Sequence, residues 1–253
     1  MSLLKTSAAI FILSTLSQAQ DLPDTIVGCN DLECPLNDTY KCHLDDTTYS
    51  NVGLARIVDP QSALEGISIL KAYLGIPEDI NTDNISGCAV IFNYSPGEFE
   101  GGDEESAVGS CSDLIEESCI DALVQRGADI GDGNCNSFER ELRQNAIEEC
   151  ADFAGQGHGL GNFTLSSLAD STTFAGVQNG SSDCWPVSPK ADGLALFDEE
   201  ITFSDFTDAE STNQLYKVTP ILTVFPRNTD DGFSAQLTCL KAVEVIDDEN
   251  SEG

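Results

Sequence analysis

The sequence predicts an α+β protein: a mostly antiparallel sheet with a disulfide-stapled helical hairpin in the middle of the chain. Three observations carry this expectation. Helical periodicity is concentrated between residues 111 and 150, strand-like runs flank that block on both sides, and ten cysteines are spread along the chain. Strands before and after a helical block, without regular strand and helix alternation, favour a segregated antiparallel sheet over a parallel one. Leu, Ile, Val and Phe make up 65 of the 253 residues, enough apolar mass for a core despite a net charge of −33.

The hairpin is the most explicit element. Asp113 with Glu116 resembles a capping box, and Cys111, Ile115, Cys119 and Leu123 then share one helical face until Gly127. Asn136 and Glu139 repeat the cap, and Phe138, Leu142, Ala146 and Cys150 follow at i, i+4 spacing, with Ile147 beside them. Gly131 and Gly133 sit in the connection, which lets the two helices fold back on each other. Cys111 and Cys150 are nearly equidistant from that turn, so antiparallel packing predicts a Cys111–Cys150 bridge, with Cys119 and Cys135 as a second pair.

Around the hairpin the elements are shorter. Residues 40–44 and 52–57 alternate partially and predict strands. A helix is predicted next: Asp59 can cap it, Pro60 suits its first turn, and Leu64, Ile67, Leu70, Lys71 and Leu74 recur at three- and four-residue steps before Gly75 and Pro77. Residues 88–92, Cys-Ala-Val-Ile-Phe, read as a buried strand, and residues 95–110 as an exposed acidic loop. Beyond the hairpin, strands are predicted over 162–165, 193–197, 200–203, 217–225 and 233–246. Trp185 beside Cys184 suggests an aromatic ring packed on a disulfide.

Compartment is written at the amino terminus. Lys5, the apolar run 8–16 and the small residues around Ala19 have the form of a secretory signal peptide over residues 1–19. The mature chain is expected to start at Gln20 as one α+β domain over 20–246, followed by an acidic disordered tail at 247–253. The apolar run is too short to span a bilayer, and the acidic end lacks the hydrophobic tail of a lipid-anchor signal, so no membrane anchor is expected. An even set of cysteines downstream of the signal fits pairing during export. All ten are expected in disulfides: Cys29, Cys34, Cys42, Cys88, Cys111, Cys119, Cys135, Cys150, Cys184 and Cys239. Five sequons mark expected N-glycosylation at Asn37, Asn84, Asn93, Asn162 and Asn179, with Asn93 disfavoured because Pro96 follows its acceptor Ser95.

Chemistry is sparse. With 44 acidic against 11 basic side chains, and no Lys or Arg from 72 to 125 or from 144 to 189, nucleic acid is not an expected partner. No phosphate loop, nucleophile elbow or metalloprotease helix is present. No metal and no cofactor is expected. The nearest cysteine pair, Cys29 and Cys34, has the wrong spacing for zinc, with only His43 nearby. Asp132, Asn134 and Asn136 imitate the start of a calcium loop, but Ser137 and Arg143 stand where glycine and glutamate are required, so Asn134 and Asn136 read as turn and cap residues. The most unusual local feature is the glycine-rich run 155–161 around His158, a candidate ligand loop whose simpler reading is a connector. The 44 acids leave any catalytic pair unlocated, and the catalytic residues stay unknown.

The stretches GCNDLECPLNDTYKC (28–42), SCIDAL (118–123), GLGNFTL (159–165) and Phe225 with LTCLKA (237–242) resemble uncharacterised secreted proteins of filamentous fungi. That resemblance implies secretion and no activity. Some members carry membrane-anchor tails, which this chain, ending at Gly253, lacks. The expectation is therefore a secreted, non-enzymatic glycoprotein that binds at the cell wall or to a host protein. The alternatives are a carboxylate-dependent extracellular hydrolase and an inert structural or storage glycoprotein. Self-repulsion among the acids predicts a melting temperature that rises as pH falls from 8 toward 5; thermal melts across that range check it, and a fall in midpoint would contradict it.

Overall fold

The fold is known from a computed structural model, which describes residues 29–31, 53–58, 67–76, 86–93, 110–130, 134–151, 160, 162–170, 172–174, 193–203, 218–227 and 232–240. It is α+β, and the described residues form two antiparallel sheets and two α-helices. The strands are β1 (Cys29–Asp31), β2 (Gly53–Val58), β3 (Ile67–Ile76), β4 (Cys88–Phe92), β5 (Phe163–Ser167), β6 (Thr172–Phe174), β7 (Gly193–Phe203), β8 (Thr219–Pro226) and β9 (Phe233–Leu240). The helices are α1 (Glu117–Ala128) and α2 (Cys135–Gln144), between β4 and β5. One sheet has the order β1-β2-β3-β7-β6 and the other β5-β4-β8-β9.

The second sheet is covered on both faces, which explains the unbroken apolar run of β4. Cys88, Val90 and Phe92 join a cluster with Leu123 of α1, Phe138 and Leu142 of α2, and Leu222, Val224 and Leu237 of β8 and β9. Ala89 and Ile91, pointing the other way, join Leu54, Leu74, Ala195 and Phe197 of the first sheet. The four-stranded sheet is thus a middle layer between helices and the five-stranded sheet. A strand buried on both faces loses the polar alternation of a half-exposed one.

Helix α1 lies very close to β8 and β9. A Cβ added at Gly127 would come 2.7 Å from the Ala235 Cβ and 3.1 Å from the Val224 Cγ2, so only glycine lets the helix approach this closely. Helix α2 is capped by Asn134, whose Oδ1 accepts the Asn136 N–H at 2.9 Å; the cap expected at Asn136 thus lies two residues earlier, and Asn136 is the second residue of the helix. Its apolar stripe is narrow: Phe138 and Leu142 are fully buried. Leu142→Ala is expected to cost about 3 kcal/mol through the cavity it leaves. Denaturant unfolding checks this, and a loss below about 1 kcal/mol would show that α2 does not anchor the core.

Several sequence expectations are corrected. The segment 67–74 is not helical; it lies in β3, which pairs with β2 on one side and β7 on the other. The segment is also rich in β-branched and aromatic residues, Ile67, Ile69, Tyr73 and Ile76, which favour a strand paired on both sides over a helix. Residues 193–197 and 200–203 belong to one strand, interrupted by a register shift: Ala72 faces Asp198 and Tyr73 faces Leu196, so Phe197 is the extra residue of a bulge. The first helix begins at Glu117 rather than at Asp113. Asp113 instead closes a 3-10 turn, Cys111–Asp113, where its Oδ2 accepts the Ser110 N–H at 2.8 Å. The second helix ends at Gln144, and Cys150 sits in a separate 3-10 turn, Glu148–Cys150.

Those shifted ends move the disulfides. Neither the expected Cys111–Cys150 nor the Cys119–Cys135 pair forms. Cys119 in the first turn of α1 bonds Cys150, Cys88 of β4 bonds Cys135 at the start of α2, and Cys111 bonds Cys239 of β9, with Cα separations of 4.8, 5.7 and 5.2 Å. The helical block is still stapled across its two ends, with Cys119 taking the place expected for Cys111 as the partner of Cys150. The other two bridges fasten it to the sheet. The strand expected over 40–44, the ring at Trp185, the segments 1–19 and 247–253, and the pairing of Cys34, Cys42 and Cys184 lie outside the described residues, while Cys29 is described only as part of β1.

Candidate functional site

The chain enters β4 through Gly87, which has φ +140°, a backbone conformation that side chains rarely tolerate. A Cβ there would also lie 2.5 Å from the Val224 carbonyl oxygen, 3.1 Å from the Phe225 Cδ1 and 3.2 Å from the Leu168 Cδ1. The Gly87 carbonyl accepts the Leu168 N–H at 3.0 Å, and the disulfide sulfur of Cys135 rests 3.4 Å from the same oxygen. On the helix side of this bend opens a cavity of about 230 Å³, lined by Ser86, Gly87, Cys88, Ile130, Val224, Pro226 and Phe233.

What this cavity can do follows from its wall. It falls below the roughly 300–1,000 Å³ of sites that enclose metabolite-sized ligands. Its described lining offers one hydroxyl and no carboxylate, imidazole or amine. It can seat a methyl or small aliphatic group against a disulfide, and it supplies no acid–base pair among the described residues. Sequence reasoning overlooked it, because its walls come from three distant segments; the one local signal was a lone glycine before a buried strand.

The residues singled out from sequence are not gathered into one place. His158 lies outside the described residues, as do Asn37, Asn84 and Asn179. Leu160, inside the glycine-rich run 155–161, is buried in the helix-side cluster. Asp198, from an acidic triplet on β7, accepts the Ser166 Oγ–H at 3.1 Å and so helps join the two sheets. No group of three metal-ligating side chains occurs among the described residues. No described helix is long and apolar enough to cross a membrane.

Charged contacts on the helices hold elements together. The Arg126 guanidinium of α1 meets Glu141 of α2 at 3.3 Å, and Arg143 meets Glu139 at 2.8 Å. Arg143 also donates to the Phe163 carbonyl at 3.1 Å and stands 4.3 Å over the Phe163 ring, fixing α2 to β5. Asn93 and Asn162 are the two sequon asparagines that the structure does bring together, at one end of the β4–β5 pair.

Comparison with protein families, with curated proteins and with solved structures finds no match for this chain. Function must be argued from its own chemistry.

Proposed function

We propose that this chain is a secreted, N-glycosylated, disulfide-stapled protein that acts outside the cell by binding, at a cell wall or on a host surface. The observation that carries this reading is the sulfur chemistry. Cys88, Cys111, Cys119, Cys135, Cys150 and Cys239 are all paired, and no free cysteine occurs among the described residues. A reducing cytosol would keep such thiols apart, whereas export oxidises them. The small apolar cavity supports binding over hydrolysis, since its described wall holds no carboxylate.

The test is expression of the full chain in a secreting eukaryotic host. Protein in the medium, an amino terminus at Gln20, a mobility shift on glycosidase treatment and the three bridges by non-reducing peptide mapping are expected. Retention inside the cell with reduced thiols would overturn the proposal.

A further inference from the structure

Asn93 follows β4 and Asn162 precedes β5, and the Asn93 N–H donates to the Asn162 carbonyl at 3.1 Å. They form the next rung after Phe92 opposite Phe163. Directly opposed residues of an antiparallel pair place their Cβ atoms about 5 Å apart, too close for two bulky glycans to spread independently. The pair is also unequal. Asn162 and its acceptor Thr164 are exposed, whereas Asn93 is half-buried, and its Nδ2 donates to the Thr164 Oγ1 at 3.4 Å. The Asn93 sequon is moreover the one followed by a rigid residue, Pro96.

What lies beside Asn162 gives a glycan there a task. Among the described strands, β5 is the outer strand of its sheet. Because the Asn93–Asn162 rung is hydrogen bonded, the alternation of an antiparallel ladder turns the N–H and C=O groups of Phe163, Leu165 and Ser167 away from β4. Arg143 takes up the Phe163 carbonyl. The sequence of β5, Phe-Thr-Leu-Ser-Ser, contains no charge and no proline, the devices that normally deter another strand from adding to an edge.

We infer that Asn162 carries the glycan while Asn93 stays bare, and that this glycan keeps a second copy of the chain from adding to the β5 edge. The inference rests on the secretory reading, since only an exported chain meets the glycosyltransferase. To test it, the secreted protein is released from its glycans by amidase in heavy-oxygen water, which marks each formerly glycosylated asparagine, and peptides are mapped. Folded protein trimmed to single sugars, Asn162→Gln and Asn93→Gln are then compared by light scattering after size exclusion, with near-ultraviolet circular dichroism confirming that each is folded. Label at Asn162 but not Asn93, concentration-dependent dimers of the trimmed protein and of Asn162→Gln, and monomeric Asn93→Gln are expected. Label at Asn93, or folded Asn162→Gln and trimmed protein that stay monomeric at the highest attainable concentration, overturn the inference. Label at other sequons without Asn162 sinks it while leaving secretion standing; a chain with no labelled sequon, retained in the cell, sinks both.

Discussion

Replacing Cys111 and Cys239 together by alanine is expected to lower the unfolding free energy by about 5 kcal/mol. This bridge closes a sequence separation of 128 residues, the largest among the described disulfides, and the chain-entropy model assigns a loop of that size about 5 kcal/mol against about 4 for a 31-residue one. It also fixes the 3-10 turn before α1 onto β9, the strand against which α1 packs most extensively. Against a total stability of about 5–15 kcal/mol, such a loss leaves a marginal fold. Guanidinium unfolding of this double variant beside Cys119→Ala/Cys150→Ala, whose separation is 31 residues, checks both size and order. A larger loss for the shorter loop would show that native-state packing, rather than restriction of the unfolded chain, sets the value of these bridges.

Gly87→Ala is expected to cost about 4 kcal/mol. Holding an alanine in this glycine-only backbone region costs about 1–3 kcal/mol, and overpacking a tight site adds about 1–3 more. The nearest obstacle, the Val224 carbonyl at 2.5 Å, is backbone of a strand paired on both sides and cannot swing away. The exposed Gln144→Ala at the end of α2 serves as control and should stay within about 0.5 kcal/mol of the parent. Equal midpoints for the two variants in urea would show that the bend into β4 relaxes freely.

Much of the architecture was legible because local and global preferences agreed. The run at β4 is apolar throughout, as burial on both faces requires, and the sequence showed it as such. Asn134 marks the start of α2 through cap chemistry that depends only on neighbours, two residues before the Asn136 at which the spacing places the cap. Where the two levels disagreed, tertiary pairing prevailed. Residues 67–74 fit a helical spacing while their β-branched and aromatic content favours a strand, and only β2 and β7, supplied by segments before and after, decide between them. The disulfide pairs required the ends of both helices to within a turn, which periodicity does not deliver: Ala146 and Cys150 continued the stripe of α2 on paper although the helix had ended. The apolar cavity was illegible for a related reason, since Ser86, Ile130 and Phe233 meet only after the layers have stacked. The proximity of Asn93 and Asn162 likewise exists only through the register of β4 and β5.

The position of β4 in its sheet has a consequence for biosynthesis. Its neighbours are β5 and β8, and Cys88 faces Val224, a residue translated after both helices and β5. A nascent polypeptide emerging from the ribosome can complete α1 and α2 early, but β4 keeps an open flank until β8 has been translated and threaded into place. Translation products that stop before Thr219 would carry this apolar strand half-paired, the kind of surface that holdase chaperones bind and degradation machinery recognises. Pairing of β4 is thus expected to finish only after β8 has left the ribosome, with the Cys111–Cys239 bridge forming later still.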